Sequence, residues 1–232
     1  GRHPFVTKGG LVPDPEAVLE RDPRSYAELI HAMFGVLAQR RDKARWGDKT
    51  PSYVLDMDVL WKLFPGCRFI HLVRDGRDVA NSVRTLSWGS RDLIKIARDW
   101  REKVMLGHKM GEMISDYYLE VRYESLVLEP AETVARICDF LDEPFEEGML
   151  RYHETAANEM PEMSLRWHRN SVSSPNPQKV QSWRHTMGKS DRIVFDRIAG
   201  DALDLFGYER EQLKPTIGSR VKFARYALLG SG

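Results

Sequence analysis

The chain has 232 residues, a formal net charge of +1 and 42% hydrophobic residues. That is enough apolar material for one large α/β domain or two small ones, and it argues against a disordered chain. The near-zero charge excludes a global basic field of the kind that holds nucleic acid or anionic lipid, so any anion must be bound locally. No stretch approaches the ~18 apolar residues of a membrane span, and Gly1-Arg2-His3-Pro4 opens no signal-peptide core. The two cysteines, Cys67 and Cys138, are too few for a disulfide scaffold and fit a reducing, cytoplasmic setting.

Asp22-Pro23 predicts a helix start, a capping residue followed by proline, with Tyr26, Leu29, Ile30, Met33, Phe34 and Leu37 at helical spacing. Thr50-Pro51 predicts a second helix, stopped by Pro65-Gly66. Phe69, Ile70, Leu72 and Val73 form a short apolar run that suits a parallel strand covered on both faces. Asp75-Gly76 breaks that run, Asp75 caps the following helix, and Val79 and Val83 give the helix a buried stripe. A long amphipathic helix is expected from about Arg91 to Ile114, with Leu93, Ile96, Ala97, Trp100 and Val104 on one face.

Tyr117 to Arg122 reads as a second strand, ending at Tyr123, and Pro130 opens a helix through Leu141 whose stripe includes a buried, inert Cys138. Glu154 to Gln178 is loop-like; Ser190 then caps a last strong helix closed by Gly207. Val221 to Leu229 reads as a basic helix packing on its own domain. Strands alternating with helices, without a repeat or an obvious boundary, imply one α/β domain over residues 1–232 with a parallel central sheet flanked by helices.

Arg74 follows the first strand, at the carboxyl edge where open α/β sheets build ligand crevices. Its rigid fork of donors suits a phosphate, and Ser82, eight residues on, completes a candidate clamp. The bland alternative pairs Arg74 and Arg77 with Asp75 and Asp78 in a solvated charge cluster. Lys49, before Thr50-Pro51, would sit at a helix amino end, an anion site if backbone N–H groups are free. Tyr123 lies at the second carboxyl edge, where it could meet a base. Trp183-Arg184 could fold over a nucleotide. His71 reads as a satisfied core histidine, and no cluster has metal-ligand spacing. The mixed Arg166-Trp167-His168-Arg169 stretch, alone in a nearly neutral chain, is a weak argument for single-stranded nucleic acid.

Taken together, Lys49 through Leu141, with a weaker echo to Trp183, resemble the sulfotransferases that use 3′-phosphoadenosine 5′-phosphosulfate (PAPS). Val73-Arg74-Asp75-Gly76-Arg77 and Val121-Arg122-Tyr123-Glu124-Ser125-Leu126 are most similar to the tyrosylprotein and bacterial branches. The resemblance implies a P-loop-kinase-like fold and Arg74 and Ser82 on the nucleotide 3′-phosphate. It also implies Tyr123 on adenine, Lys49 as the catalytic charge stabiliser, and a loop from Ser171 to Trp183 over the cofactor. PAPS would be the donor and 3′,5′-adenosine bisphosphate the product, with a small-molecule or peptide hydroxyl as acceptor and no metal. A homodimer is left open.

Three departures accompany the resemblance. The Gly- and Ser/Thr-rich 5′-phosphosulfate loop that precedes these motifs in the family is not found, so the expectation is that it lies upstream of residue 1. Thr50 and Pro51 stand where the cytosolic branch has its histidine, which points to a carboxylate base; Asp48 is the local, poor substitute. Ser182 replaces the lysine of the tyrosylprotein branch, with Lys179 or Arg184 as compensating cations. Two other classes remain: a small-molecule kinase, which would need a full P-loop and a magnesium-binding acid, and a non-catalytic nucleotide-binding relative.

Overall fold

The computed structural model describes residues 12–154 and 174–229, with side chains through Ala224. They gather into two compact units, one from residues 12–53, 58–66, 147–154 and 174–175, the other from residues 54–57, 67–146 and 176–229. In the first unit, α1 (Pro15–Leu19) is capped by Asp14, and α2 spans Tyr26–Gln39. The Asp22-Pro23 start expected for α2 is replaced by a capping box, in which Ser25 and Glu28 satisfy each other's backbone N–H groups. Asp22 instead has φ 46°, a turn conformation that a helix cap does not use. Val18 packs against Ala32 and Val36, and Trp46 stacks on Phe34 at 4.7 Å between ring centres.

The second expected helix also begins differently. Pro51–Leu55 is a 3₁₀ turn, followed by α3 (Met57–Leu63). Thr50 does not act as a cap, since its hydroxyl donates to Asp48 Oδ2 at 3.2 Å.

In the second unit, β1 (Phe69–Val73) leads into α4 (Gly76–Thr85), capped as expected by Asp75, whose Oδ1 accepts from Arg77 N at 2.9 Å. Gly76 is required by close approach: a Cβ there would collide with the Trp100 and Phe195 rings. The long helix α5 (Leu93–Met113) is capped by Asp92, and all five residues of its expected stripe are buried. It returns the chain to β2 (Tyr118–Arg122), which pairs parallel with β1 in the register Phe69↔Tyr118 through Val73↔Arg122. Parallel pairing demands such a crossover.

Tyr123 begins α6 (Tyr123–Leu128), and α7 (Pro130–Leu141) ends at Asp142 in the left-handed region. A four-residue helix α8 (Trp183–Thr186) precedes α9 (Lys189–Leu205) and α10 (Ile217–Leu229). Gly188, not Ser190, stands at the α9 N-cap; the Ser190 hydroxyl pairs with Thr216 Oγ1 at 2.8 Å. The core lies among β1, α4, α5, α8 and α9, centred on Val73, Trp100, Trp183, Val194, Phe195 and Leu203.

One expectation about β1 fails. Ile70 and Leu72 are 40% and 48% exposed, so among the described residues the strand is covered on one face only. Its apolar run resembles a doubly covered strand in composition, but the pleat sends alternate residues to opposite sides. Cover on the second side is a matter of tertiary partners, which an apolar run does not report.

Candidate active site

Arg74 emerges at the carboxyl end of β1, where Trp100 Nε1 donates to its carbonyl at 3.1 Å and fixes the turn into α4. Its guanidinium lies 4.9 Å from the centre of the Tyr123 ring, which is delivered by the end of the neighbouring strand. The parallel register therefore brings two of the candidate residues to one sheet edge. Arg74 Nη2 donates to the Lys179 carbonyl at 3.1 Å and is 4.0 Å from Asp78 Oδ2, while Nε is buried without a hydrogen-bond partner. Asp78 and Ser82 follow Arg74 at spacings of four and eight, which places both on the α4 face that begins beneath the guanidinium. Ser82 is exposed.

The charges around Arg74 form a buried network, not the solvated cluster of the bland reading. Asp75, Arg77 and Asp78 are each 1–2% exposed. Arg77 forks onto Asp75, donates to the Glu209 carbonyl at 2.9 Å and lies over the Trp183 ring, 3.7 Å from its centre. Asp75 N donates to the buried Glu124 carboxylate, whose other oxygen accepts from Tyr208 OH at 2.9 Å. Asp78 Oδ1 accepts from both Ser182 Oγ and Trp183 N at 2.8 Å. Burial pushes the Asp78 carboxyl upward, opposed by these two bonds and by Arg74. Asp196, 3.6 Å from Arg77, is pushed up to about 6, again by burial.

The remaining candidates are dispersed in character. Arg184 is engaged by Glu209 at 2.7 Å and by Gln181 at 3.0 Å, and lies over the Trp183 ring. Lys179 contributes its carbonyl to Arg74, at the end of a 3₁₀ turn capped by Asn176. Ser171 lies outside the described residues, as do Gly9-Gly10 and Arg166 to Arg169. Lys49 belongs to the first unit and is exposed. Because the turn after it is 3₁₀ and only five residues long, the expected helix amino end is not there. Asp48 accepts from Thr50, and its carboxylate raises the neighbouring Tyr53 phenol by a side-chain hydrogen bond.

The family model described as "Sulfotransferase family" matches residues 8–147. The chain belongs to the sulfotransferase family. A protein-tyrosine sulfotransferase of Drosophila melanogaster is 29% identical over 179 residues, covering 73% of this chain and 34% of its own length. Protein-tyrosine sulfotransferase A of Caenorhabditis elegans is 24% identical, covering 79% of this chain and half of its own. The sulfotransferase domain of the Synechococcus PCC 7002 olefin synthase superposes with a TM-score of 0.60 at 24% identity, over 84% of this chain and 75% of that one, a likeness of fold. This chain is thus an enzyme of the sulfotransferase class with the α/β fold and parallel sheet expected for it.

Sequence reasoning missed the parts of this sulfotransferase that hold the Arg74 edge together. Glu124, Tyr208 and Ser182 carry no local signal as partners, and Asp78, expected to pair with Arg74 and Arg77 in a solvated cluster, is instead buried and bonded to Ser182 and Trp183. The links from Tyr208 to Glu124 and Val73 span 84 and 135 residues, and no local pattern reports them. His71 matches its reading: Nδ1 meets Tyr118 OH at 2.6 Å, and burial lowers its pKa.

Proposed function

We propose that this sulfotransferase takes PAPS as donor, with Arg74 and Ser82 gripping the 3′-phosphate and Tyr123 against the adenine. The observation carrying the reading is Arg74 at a strand's carboxyl end, with a buried, unpartnered Nε and an aromatic face beside it. A guanidinium with spare donors fits a phosphate, since charge-assisted bidentate bonds are the strong ones. Lys179 and Arg184 would add positive charge from the 176–187 segment, and Ser171 a hydroxyl. PAPS, when bound, supplies the activated sulfuryl group. Lys49 provides a cation for negative charge that builds on the leaving phosphate, as in phosphoryl transfer, where positioning and electrostatics do most of the catalytic work. A carboxylate accepts the proton of the acceptor hydroxyl. The acceptor is a hydroxyl compound or peptide, and the names of the relatives favour a tyrosyl phenol.

The decisive experiment is titration calorimetry with 3′,5′-adenosine bisphosphate and 5′-AMP. Arg74→Ala should raise the dissociation constant for the bisphosphate roughly 10–100-fold, the worth of a charged hydrogen bond, and change that for 5′-AMP far less. Equal losses for both nucleotides would remove the clamp. PAPS-dependent transfer to tyrosine-containing peptides tests the acceptor.

A further inference from the structure

We propose that Asp78 is a positioning residue for the phosphate clamp, latching the Ser182-Trp183 segment onto α4 and anchoring the Arg74 guanidinium beside it. This rests on the nucleotide reading above. Placing a carboxylate one helical turn from each of two phosphate-gripping residues is unfavourable by itself, because it repels the anion. It becomes useful when its charge is already committed to other donors.

The geometry commits Oδ1 to donors and sets Oδ2 beside a cation. Oδ1 takes two donors, Ser182 Oγ and Trp183 N, each at 2.8 Å, from a segment more than a hundred residues away in sequence. Oδ2 is buried without a hydrogen bond and lies 4.0 Å from Arg74 Nη2. That same nitrogen donates to the Lys179 carbonyl, three residues before Ser182. Arg74, Lys179, Ser182-Trp183 and Asp78 thus close a ring in which the β1–α4 turn and the first turn of α4 hold one segment at two points. Asn81 adds a third, donating to Thr186 Oγ1 at 2.8 Å. The Arg77 guanidinium lies over the Trp183 ring, 3.7 Å from its centre. Removing Asp78 takes away two of the segment's bonds and the carboxylate beside the guanidinium, whereas removing the Ser182 hydroxyl takes away one bond.

Three variants separate these contributions: Asp78→Ala, Asp78→Asn and Ser182→Ala. Each is assayed by calorimetry with 3′,5′-adenosine bisphosphate and 5′-AMP, and by hydrogen exchange at the Trp183 amide. Asp78→Ala should expose that amide to exchange and weaken bisphosphate binding about tenfold or more, with a smaller effect on 5′-AMP. Asp78→Asn keeps an acceptor for Ser182 Oγ and Trp183 N, so amide protection survives. Bisphosphate affinity falls because the guanidinium loses the carboxylate that orients it, a loss larger than the relieved repulsion of the anion. Ser182→Ala should weaken binding less than Asp78→Ala, by about fivefold, because the Trp183 N bond to Oδ1 remains.

Bisphosphate affinity unchanged in both Asp78→Asn and Ser182→Ala would overturn the positioning role, and so would parallel losses for the two nucleotides. These two variants decide the matter even if Asp78→Ala does not fold. Should the unmodified protein show no preference for the bisphosphate, the nucleotide reading fails and the positioning role with it. The exchange data then still report whether Asp78 latches the segment.

Discussion

Two charged regions of this molecule are built on opposite plans. Around the start of α4, Asp75, Arg77, Asp78 and Glu124 are buried, and their partners come from α6, α8 and the segment after α9. Around Lys49 the charged residues are exposed, and Asp48 is bonded locally, by Thr50 two residues on and by the Tyr53 phenol five residues on. A buried, mutually bonded set has no freedom to rearrange, so it suits a site that must present fixed donors to a ligand. An exposed lysine on a flexible stem follows charge as it develops. On the proposed reading the difference separates holding from reacting, so substitutions in the two regions should fail in different ways.

The largest expected effect is on folding. Arg77→Ala removes the cation that pairs with Asp75 and faces Asp196, leaving buried carboxylates uncompensated. Breaking such a pair from one side costs about 3–5 kcal/mol, to be read as a fall in urea midpoint with unchanged slope. A loss below about 1 kcal/mol would mean the network is not what fixes this region. Lys49→Ala should do the reverse. Turnover falls about 10²–10³-fold, the usual cost of removing one transition-state stabiliser, while the unfolding free energy moves by less than about 0.5 kcal/mol. If the variant loses stability and keeps turnover, the contrast between the regions collapses.

The third prediction concerns pH. Asp196 is buried, one oxygen has no hydrogen-bond partner, and its carboxyl rises to about 6 despite the attraction of Arg77 and Arg210. The folded chain therefore holds this proton more tightly than the unfolded chain. Its stabilising contribution is full below the ordinary carboxylate range and is lost as pH rises through about 6. Asp196→Asn cannot titrate, so the stability of wild type relative to the variant should fall by about 1–3 kcal/mol between roughly pH 4 and pH 7. A difference that stays flat over that window removes the buried-acid explanation.

Much of the scaffold was legible because its signals are local. Asp75 and Asp92 cap the helices expected of them, and the α5 stripe is buried throughout. The Arg74 and Tyr123 edge followed from two strands ending in register, which the strand–helix alternation implied. The misplaced boundaries have local causes too. Ser25 and Glu28 together outweigh Asp22-Pro23, since a reciprocal box satisfies two donors where one cap satisfies one. What stayed hidden was burial of charge. Asp75, Arg77 and Asp78 read as a wet surface because nothing near them in sequence names Glu124, Trp183 or Glu209 as partners. Ile70 and Leu72 erred the other way, apolar yet exposed, since cover on that face is a long-range property.

The smallest expected effect tests burial as the variable that distinguishes the regions. Arg101 and Asp201 join α5 to α9 through a forked pair, with Nε at 2.8 Å from Oδ1 and Nη2 at 2.5 Å from Oδ2. By geometry it equals the Arg77–Asp75 fork, but its side chains are 43% and 51% exposed against 1% and 2%. Carboxyls in the two settings differ: the Arg101 hydrogen bond lowers Asp201, whereas burial raises Asp78 and Asp196 near Arg77. Water solvates whichever partner remains, so Arg101→Ala should cost only about 0.2–1 kcal/mol and less in high salt. A double-mutant cycle with Asp201→Ala measures the coupling directly. A coupling as large as the loss in Arg77→Ala would mean that fork geometry, rather than exclusion from solvent, sets the strength of these pairs.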